Sequence, residues 1–166
     1  MQRSDIAGAL AIQAASYPAT LQEDAAAFSS RIDLPNSYCV IARSGEELLA
    51  YLLAHGWTGN SPPPLGAQIA QPAEIDTLYL HDLAVAPAGR GSDLGRKLVE
   101  HALALAAQDG LHRAELIAVF DAWRYWETLD FSLTAATPAI AAKLAGYGPD
   151  ARWMTREFQA DTNAGP

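Results

Sequence analysis

Residues 80–98 read LHDLAVAPAGRGSDLGRKL, and they determine how the rest of the chain is interpreted. The apolar start predicts a buried strand, the glycine-rich basic middle predicts a tight turn, and Leu94 and Leu98 begin an amphipathic helix. The first N–H groups of a helix have no intrahelical acceptor, and the helix dipole favours negative charge there. Glycine lets the backbone approach a phosphate closely. The pattern therefore predicts that a phosphorylated group binds at this turn, with His81 just upstream on the strand.

The remainder of the chain alternates helical and extended patterns. A helix is predicted after Ser4, and Thr20-Leu21-Gln22-Glu23 has the form of a capping box that would open a second helix. Residues 56–73 form a long loop with three consecutive prolines, and long loops often bind ligands. Together the elements predict an α/β fold with a single mixed, mostly antiparallel sheet flanked by helices. The predicted strands cover residues 38–42, 48–55, 77–85, 115–120, 131–135 and 151–158, with helices after Leu94 and over 122–129.

The composition is that of one globular domain, which we place at residues 1–159 with a mobile tail at 160–166. Half of the 166 residues are hydrophobic, and the net charge of −8 argues against sequence-independent binding to nucleic acid. The single cysteine, Cys39, cannot form an intrachain disulfide, and neither a signal peptide nor a membrane span is recognisable. We expect a cytoplasmic protein without nucleic-acid, membrane or metal partners. The sequence leaves open whether it is a monomer or a homodimer.

Two familiar phosphate-binding motifs do not fit the turn. A P-loop requires Gly-Lys-Ser/Thr, whereas Gly95 is followed by Arg96 and Lys97. A dinucleotide-binding fold needs three glycines at its own spacing, and Gly89 and Gly91 together with Gly95 miss that spacing by one. The sequence also lacks the repeated strand–helix units that such a fold requires.

Two segments of the chain instead resemble the GNAT superfamily of acetyltransferases. Residues 90–95, Arg-Gly-Ser-Asp-Leu-Gly, are similar to the family turn Arg/Gln-x-x-Gly-x-Gly/Ala, and Val85-Ala86-Pro87 precedes them as in many members. Residues 122–131 are similar to the later pattern Ala-x-x-Phe-Tyr/Trp-Glu-x-x-Gly-Phe. Asp93 departs from the turn because it replaces the first glycine, although aspartate tolerates unusual turn conformations better than most residues. The resemblance covers most of the chain, with the family's first strand missing or reduced to a stub before Ser4.

The resemblance implies an acetyl-CoA-dependent N-acetyltransferase that acts on a small-molecule amine. In the family, backbone N–H groups of the strand before the turn align the thioester, and here they belong to Leu83, Ala84 and Val85. Trp126 would pack on the pantetheine arm of the cosubstrate. The residues expected to bind the pyrophosphate are Arg90, Gly91, Ser92, Asp93, Leu94, Gly95 and Arg96.

His81 is the predicted general base. Strand alternation predicts one face that carries Tyr79, His81, Leu83 and Val85. An imidazole has an ordinary pKa of about 6.5, which suits proton abstraction at neutral pH. The run from Leu80 onward is also similar to serotonin-type (arylalkylamine) N-acetyltransferases, which implies that His81 and Tyr79 lie on the path of the amine proton.

The general acid and the acceptor pocket are less strongly marked. The family's usual acid is a tyrosine, but Trp126 occupies that position and an indole is not a practical proton donor. Tyr125, one residue earlier, is one alternative, and water is the other. For the acceptor, the resemblance implies an aromatic pocket near the proline-rich loop that suits an arylalkylamine. Its predicted residues are Phe28, Tyr38 and Trp57.

Two other interpretations stay open. The acceptor can equally be an amino acid, an antibiotic or a protein N-terminus. The departures at Asp93, Trp126 and Asp130 also fit a degenerate fold that binds acyl-CoA as a sensor, or acts as an interaction module, without transferase activity.

Overall fold

Five α-helices and six β-strands make up residues 1–159, the part of the chain that the computed structural model describes. The predicted tail at 160–166 lies outside these residues. The helices are α1 (Ile6–Ser16), α2 (Ala25–Ile32), α3 (Leu94–Gln108), α4 (Trp123–Glu127) and α5 (Pro138–Leu144). The strands are β1 (Val40–Ser44), β2 (Glu47–Trp57), β3 (Thr77–Val85), β4 (Arg113–Ala118), β5 (Ser132–Leu133) and β6 (Arg152–Glu157). Within the described residues, no helix combines the length and the apolar character needed to cross a membrane.

The strands form one sheet in the order β1-β2-β3-β4-β6-β5. β3 and β4 run parallel, while every other pair of neighbouring strands is antiparallel. This arrangement confirms the predicted α/β fold with a mixed, mostly antiparallel sheet. The described residues before α1 contain a 3₁₀ turn, Arg3–Asp5, and β1 is an edge strand.

Helices cover both faces of the sheet. The α3 face is defined by Leu78 and Leu80 of β3, which pack under the apolar stripe of α3. The α1/α2 face is defined by Tyr51 and Leu53 of β2, which pack under Phe28 of α2 and the apolar residues of α1. Each large apolar side chain buried here contributes roughly 1.5–3 kcal/mol. The apolar residues that α3 buries are Leu98, Val99, Ala102, Leu103, Ala106 and Ala107.

A β-bulge in β3 changes which residues share a face. Leu53 of β2 lies opposite Asp82, but the next residue, Ala54, lies opposite Leu80, so His81 has no partner of its own. An extra residue in one strand reverses the alternation beyond it. The prediction that Tyr79 and His81 share a face with Leu83 and Val85 is therefore wrong. The ring of His81 contacts groups of the α1/α2 side, whereas Leu83 and Val85 pack with the core on the α3 face.

The start of α2 also differs from the prediction. Helix α2 begins at Ala25, and its N-cap is Asp24, whose carboxylate accepts a hydrogen bond from the Ala27 N–H at 2.8 Å. The predicted capping box at Thr20-Leu21-Gln22-Glu23 is wrong, because residues 19–21 form a 3₁₀ turn and Glu23 points into the protein. Its carboxylate is thereby available for contacts inside the fold.

Helix α5 was not predicted, although the sequence contains its start signal. Thr137 is the N-cap and accepts from the Ile140 N–H at 3.3 Å, and Pro138 occupies the first turn. A capping threonine followed by proline is a common opening of a helix. Ile140 then packs with Tyr79 and Trp153 on the sheet.

Candidate active site

β3 and β4 diverge beyond Tyr79 and leave an open cleft in the middle of the sheet. Their parallel pairing consists of Leu78 opposite Ala114 and Tyr79 opposite Glu115, although β3 stays paired with β2 as far as Val85. The cleft has a volume of about 580 Å³. It is bounded by the second half of β3, the turn before α3, the end of β4 and α4. The backbone of β3 thus faces the cleft where a parallel neighbour would otherwise cover it.

The turn before α3 presents a row of backbone donors. In the described part of the chain, the N–H groups of residues 91–96 have no protein acceptor, whereas the Lys97 N–H donates to the Asp93 carbonyl at 3.1 Å. Gly91 has a φ of +79°, and its Cα faces open space. Unpaired N–H groups at the positive end of a long helix bind anions. The turn therefore fits the phosphate groups of the predicted cosubstrate.

Asp93 adopts the backbone conformation of the turn at the position where the family pattern has a glycine. Its φ of +59° is left-handed, a conformation that aspartate adopts more readily than most residues. The side chain is 60% exposed, and its carboxylate lies 3.5 Å from Nε of Arg96. Arg96 in turn donates to the Thr128 carbonyl at 2.9 Å, which ties the first turn of α3 to the end of α4. The carboxylate is thus partly neutralised at the rim of the cleft.

The predicted turn residues divide into two groups. Arg90 is exposed at the cleft and makes no ion pair within residues 1–159. Ser92 folds back and donates to the Gly89 carbonyl, and neither Ser92 nor Arg96 lines the cleft. Ala84 is also outside it, because its side chain packs on the α1/α2 face. The residues that do line the cleft are Leu83, Val85, Arg90, Gly91, Asp93, Leu94 and Gly95.

His81 lines the same cleft and is bonded to a carboxylate. Its Nε2 lies 2.6 Å from Oε2 of Glu23, and both side chains are only 2% exposed. Nδ1 of His81 is buried and has no hydrogen-bond partner among the described residues. The bulge directs this ring toward the segment between α1 and α2, where Glu23 lies.

Glu23 is fixed on every side. Its main chain exchanges two hydrogen bonds with the side chain of Gln13, at 2.9 and 3.0 Å. Its second carboxylate oxygen accepts from Nη2 of the fully buried Arg31 at 3.0 Å and from the Gly66 N–H. Burial acts to raise the pKa of Glu23, but it is outweighed by the hydrogen bond from His81, by the charge of that ring when it is protonated, by the charge of Arg31 and by the Gly66 N–H, which together lower that pKa. Glu23 is therefore ionised at neutral pH.

Two more rings lie behind His81. Tyr79 is buried, and its ring centroid is 6.0 Å from that of His81, but the side chain does not line the cleft. His55 of β2 is fully buried 6.4 Å away, and burial is the main cause that lowers its pKa to about 3; the charge of His81, when that ring is protonated, and the charge of Arg31 act in the same direction. His55 is therefore a neutral group beneath the site.

Asp82 forms a second polar cluster beside His81. It accepts a hydrogen bond from the Tyr51 hydroxyl, and burial raises the pKa of its carboxyl although that bond opposes the change. Tyr17 at the end of α1 donates to the Leu83 carbonyl at 2.8 Å. Tyr17 and Asp82 both line the cleft, so they border the same space as His81.

The two aromatic residues of α4 take different positions. Trp126 is mostly buried and packs edge-on against Phe131 at 5.3 Å, with part of its ring at the cleft. Tyr125 lines the cleft and is 39% exposed. Its hydroxyl lies so close to Gly95 that a Cβ there would stand 2.5 Å from it. Burial raises the pKa of Tyr125, so the phenol stays protonated at neutral pH.

The three residues predicted to form an acceptor pocket lie elsewhere. Phe28 is fully buried under α2, where its ring packs 5.6 Å from that of Tyr51. Tyr38 is buried on the α3 side, and its hydroxyl donates to Asp109 at 2.8 Å. Trp57 donates from Nε1 to the Ser61 carbonyl at 2.7 Å. None of the three lines the cleft.

Several cleft residues were not predicted from the sequence. Besides Glu23 and Asp82, they include Tyr17, Leu21, Leu65, Phe120 and Tyr147. Glu23 was interpreted as a capping residue, so no local signal marked its contact with His81. Leu65 lies in the long loop that was predicted to bind ligands.

Comparison with known proteins agrees with this geometry. The sequence profile of the acetyltransferase (GNAT) family matches residues 8–131. No curated protein matches the chain. The loading GNATL domain of CurA from Lyngbya majuscula is similar in structure, with a TM-score of 0.74 and 12% identity over 95% of this chain and 94% of that one.

Two further similar structures contain CoA or a CoA-derived ligand. Rv2747 from Mycobacterium tuberculosis, in complex with CoA and NLQ, has a TM-score of 0.67 and 14% identity over 95% of this chain and 96% of that one. Naa50 from Arabidopsis thaliana, in complex with the bisubstrate analogue CoA-Ac-MVNAL, has a TM-score of 0.65 and 11% identity over 95% of each chain. At these identities the likeness concerns the fold alone, whereas the profile match extends over most of the sequence. The chain belongs to the acetyltransferase (GNAT) family.

Proposed function

We propose that this protein transfers an acetyl group from acetyl-CoA to the primary amine of a small molecule, with His81 as general base. One observation carries the proposal: His81 and the turn before α3, with its unpaired N–H groups, both border the cleft between β3 and β4. Membership of the family and the CoA-containing ligands of two similar structures support an acyl-CoA as donor.

The turn, strand β3 and His81 each have a separate role in the proposed acetyl transfer. Acetyl-CoA, when bound, supplies the acetyl thioester, and the N–H groups of residues 91–96 together with Arg90 would hold its phosphates. Backbone N–H groups of β3 near Leu83 and Val85 would polarise the thioester carbonyl, as preorganised donors do in acyl transfer. As the amine nitrogen bonds to the carbonyl carbon and the C–S bond breaks, His81 takes the proton that the nitrogen loses.

Tyr125 is the proposed acid for the leaving thiolate. Its hydroxyl lies beside Gly95 at the start of α3, inside the cleft, and it is protonated at neutral pH. Donation of this proton gives free CoA, and the phenolate recovers a proton from water. The adjacent Trp126 is packed into the core and has no acidic proton to give.

The cleft also favours one class of acceptor. Tyr17, Leu21, Leu65 and Tyr147 line it with apolar and aromatic surface. The carboxyls beside His81 on this side are those of Glu23 and Asp82, while Arg31 is fully buried against Glu23. Arg31 is therefore already paired and cannot bind a carboxylate next to the amine, so an amine with an apolar or aromatic body fits better than an amino acid. An arylalkylamine is of this class.

The test has two stages. Acetyl-CoA is first added in a thermal-shift measurement, where ligand at about 100 times Kd stabilises a protein by about 2.7 kcal/mol. A panel of arylalkylamines, aliphatic amines, amino acids and an N-terminal peptide is then assayed for CoA release and for the acetylated product by mass spectrometry. We expect product with the simple amines and a loss of about 10²- to 10⁴-fold in kcat for His81→Gln.

Each stage can contradict the proposal separately. Binding of acetyl-CoA without product from any amine would favour the alternative, an acyl-CoA sensor. Equal activity of His81→Gln and the unmodified protein would remove His81 as the base. Preference for amino acids over simple amines would contradict the acceptor class.

A further inference from the structure

Glu23, which forms a buried ion pair with Arg31, is also hydrogen-bonded to the ring of His81. We propose that Glu23 is the positioning residue of the reaction: its carboxylate holds His81 as the Nε2–H tautomer, so that Nδ1 takes the proton from the amine. This inference rests on the proposed function, since it assigns the atom through which His81 acts.

Because Glu23 is ionised, the direction of its hydrogen bond with His81 is fixed. An ionised carboxylate only accepts, so the 2.6 Å contact between its Oε2 and Nε2 requires a proton on Nε2. In a neutral imidazole the other nitrogen then carries the lone pair. That nitrogen, Nδ1, has no partner among the described residues, although the ring lines the cleft. Because Nδ1 is itself buried, it is the ring nitrogen that remains to take a proton from an amine through one water.

The carboxylate of Glu23 is shared between Arg31 and His81. With Arg31 cationic and Glu23 ionised, the three side chains have no net charge while His81 is neutral. The carboxylate therefore orients the ring, but half of its hydrogen-bonding capacity is directed at Arg31 and Gly66. The other titratable groups near the ring are His55 of β2, Tyr79 and Asp82 of β3, and Tyr147 at the cleft.

The surroundings of Glu23 make Glu23→Gln an informative variant. Arg31 and the Gly66 N–H both donate to the same oxygen of Glu23, Oε1. In the variant, the amide oxygen is needed by these two donors, which leaves the NH₂ group facing Nε2 of His81. Nε2 must then accept, and the proton moves to Nδ1. The substitution thus keeps size and packing but is expected to reverse the tautomer.

Two measurements test the proposal. Nitrogen-15 NMR of the histidine side chains distinguishes the two neutral tautomers without any turnover, and the signal missing from His81→Gln identifies His81. We expect the Nε2–H form in the unmodified protein and the Nδ1–H form in Glu23→Gln. The kcat of Glu23→Gln should fall by about 10²- to 10⁴-fold. Loss of a general base typically costs this much, and a catalytic histidine held in the wrong tautomer costs about 10⁴-fold. The acid limb of its pH–rate profile should also move to lower pH, because a negative charge beside the ring is lost.

Glu115→Gln is the matched control. The side chain of Glu115, on β4, is as buried as that of Glu23 and is paired with Arg113 at 2.9 Å, but it does not line the cleft. This variant should lose stability in the same way, with kcat and the His81 tautomer unchanged. A merely structural role of Glu23 would make the two variants behave alike.

The outcomes separate the two proposals. An Nδ1–H tautomer in the unmodified protein would overturn the role of Glu23, and this spectrum needs no folded variant. A loss of kcat in Glu23→Gln with an unchanged tautomer would overturn it as well. Failure of every amine to release CoA would instead remove the proposed function, while the spectrum still decides whether Glu23 orients His81.

Discussion

Replacing Asp93 with asparagine should tighten the binding of acetyl-CoA without stabilising the fold. Asparagine tolerates the left-handed backbone at φ +59° about as well as aspartate does, so the turn keeps its shape. What changes is one negative charge, on a side chain that is 60% exposed at the start of α3. That charge lies beside the N–H groups that would bind the phosphates.

The magnitude follows from the geometry of the helix start. One turn of helix rises about 5.4 Å, so an anion on the first N–H groups would lie roughly 6 Å from a carboxylate on the N-cap residue. Two unit charges at that separation repel by about 0.7 kcal/mol in water and by about 2.8 kcal/mol at an effective dielectric constant of 20. The exposure of Asp93 and its pairing with Arg96 place the effect near the lower end. We expect about 0.7 to 1.4 kcal/mol, or three- to tenfold tighter binding.

The assay is isothermal titration of acetyl-CoA at low and at high salt. The gain should be largest at low ionic strength and should shrink toward 1 M salt, where the screening length is only about 3 Å. Without ligand, Asp93→Asn should be slightly less stable, by about 0.3–1 kcal/mol, because a negative charge at a helix N-terminus is lost. Asp33→Asn, which removes another exposed carboxylate paired with an arginine, is the control and should leave Kd unchanged. Unchanged or weaker binding by Asp93→Asn at low salt would refute the electrostatic reasoning.

Three further predictions concern Tyr125, Tyr38 and His55. Tyr125→Phe should lower kcat by about 10-fold or more with little change in the Kd of acetyl-CoA; unchanged single-turnover rates would remove Tyr125 as the acid. Tyr38→Phe should cost about 1 kcal/mol in the free energy of unfolding, through loss of the bond to Asp109, and should leave KM for the amine unchanged; a raised KM would restore Tyr38 to the acceptor site. Because His55 has a pKa of about 3 when folded and about 6.5 when unfolded, the unfolded state binds its proton first as pH falls below 6.5. Stability should then drop by about 2 kcal/mol between pH 7 and pH 5, and His55→Phe should remove this part of the slope in denaturant titrations.

The sequence predicted the mixed sheet and the position of the turn before α3. The span of β3 was predicted correctly from its apolar run, and the glycine-rich turn lies at the start of α3 as expected. These features have local signals, since strand period, turn glycines and helix stripes are properties of neighbouring residues. The mixed topology followed from the order in which such elements occur.

The environment of His81 was not predicted, because it depends on contacts distant in sequence. A β-bulge is set by the pairing of β3 with β2, and the sequence of β3 alone does not show that His81 is the extra residue. The Glu23–His81 pair joins residues 58 positions apart. Glu23 also fits a local capping pattern, which Asp24 fulfils instead. The predicted acceptor residues failed for a related reason: aromatic residues close to a site in sequence are more often used to fill the core.

The bulge at His81 also bears on how such a protein can change during evolution. Before it, β3 packs into the sheet as an ordinary strand; after it, Leu83 and Val85 lie on the α3 side, where we propose that the donor binds, and Asp82 lies beside His81 on the side proposed for the acceptor. If the proposed function is right, substitutions in the segment before α2, in the loop around Leu65 or near Tyr147 would change which amine is acetylated without disturbing the turn proposed to bind the donor. The bulge would in this way let the fold acquire new acceptors while the donor site stays unchanged.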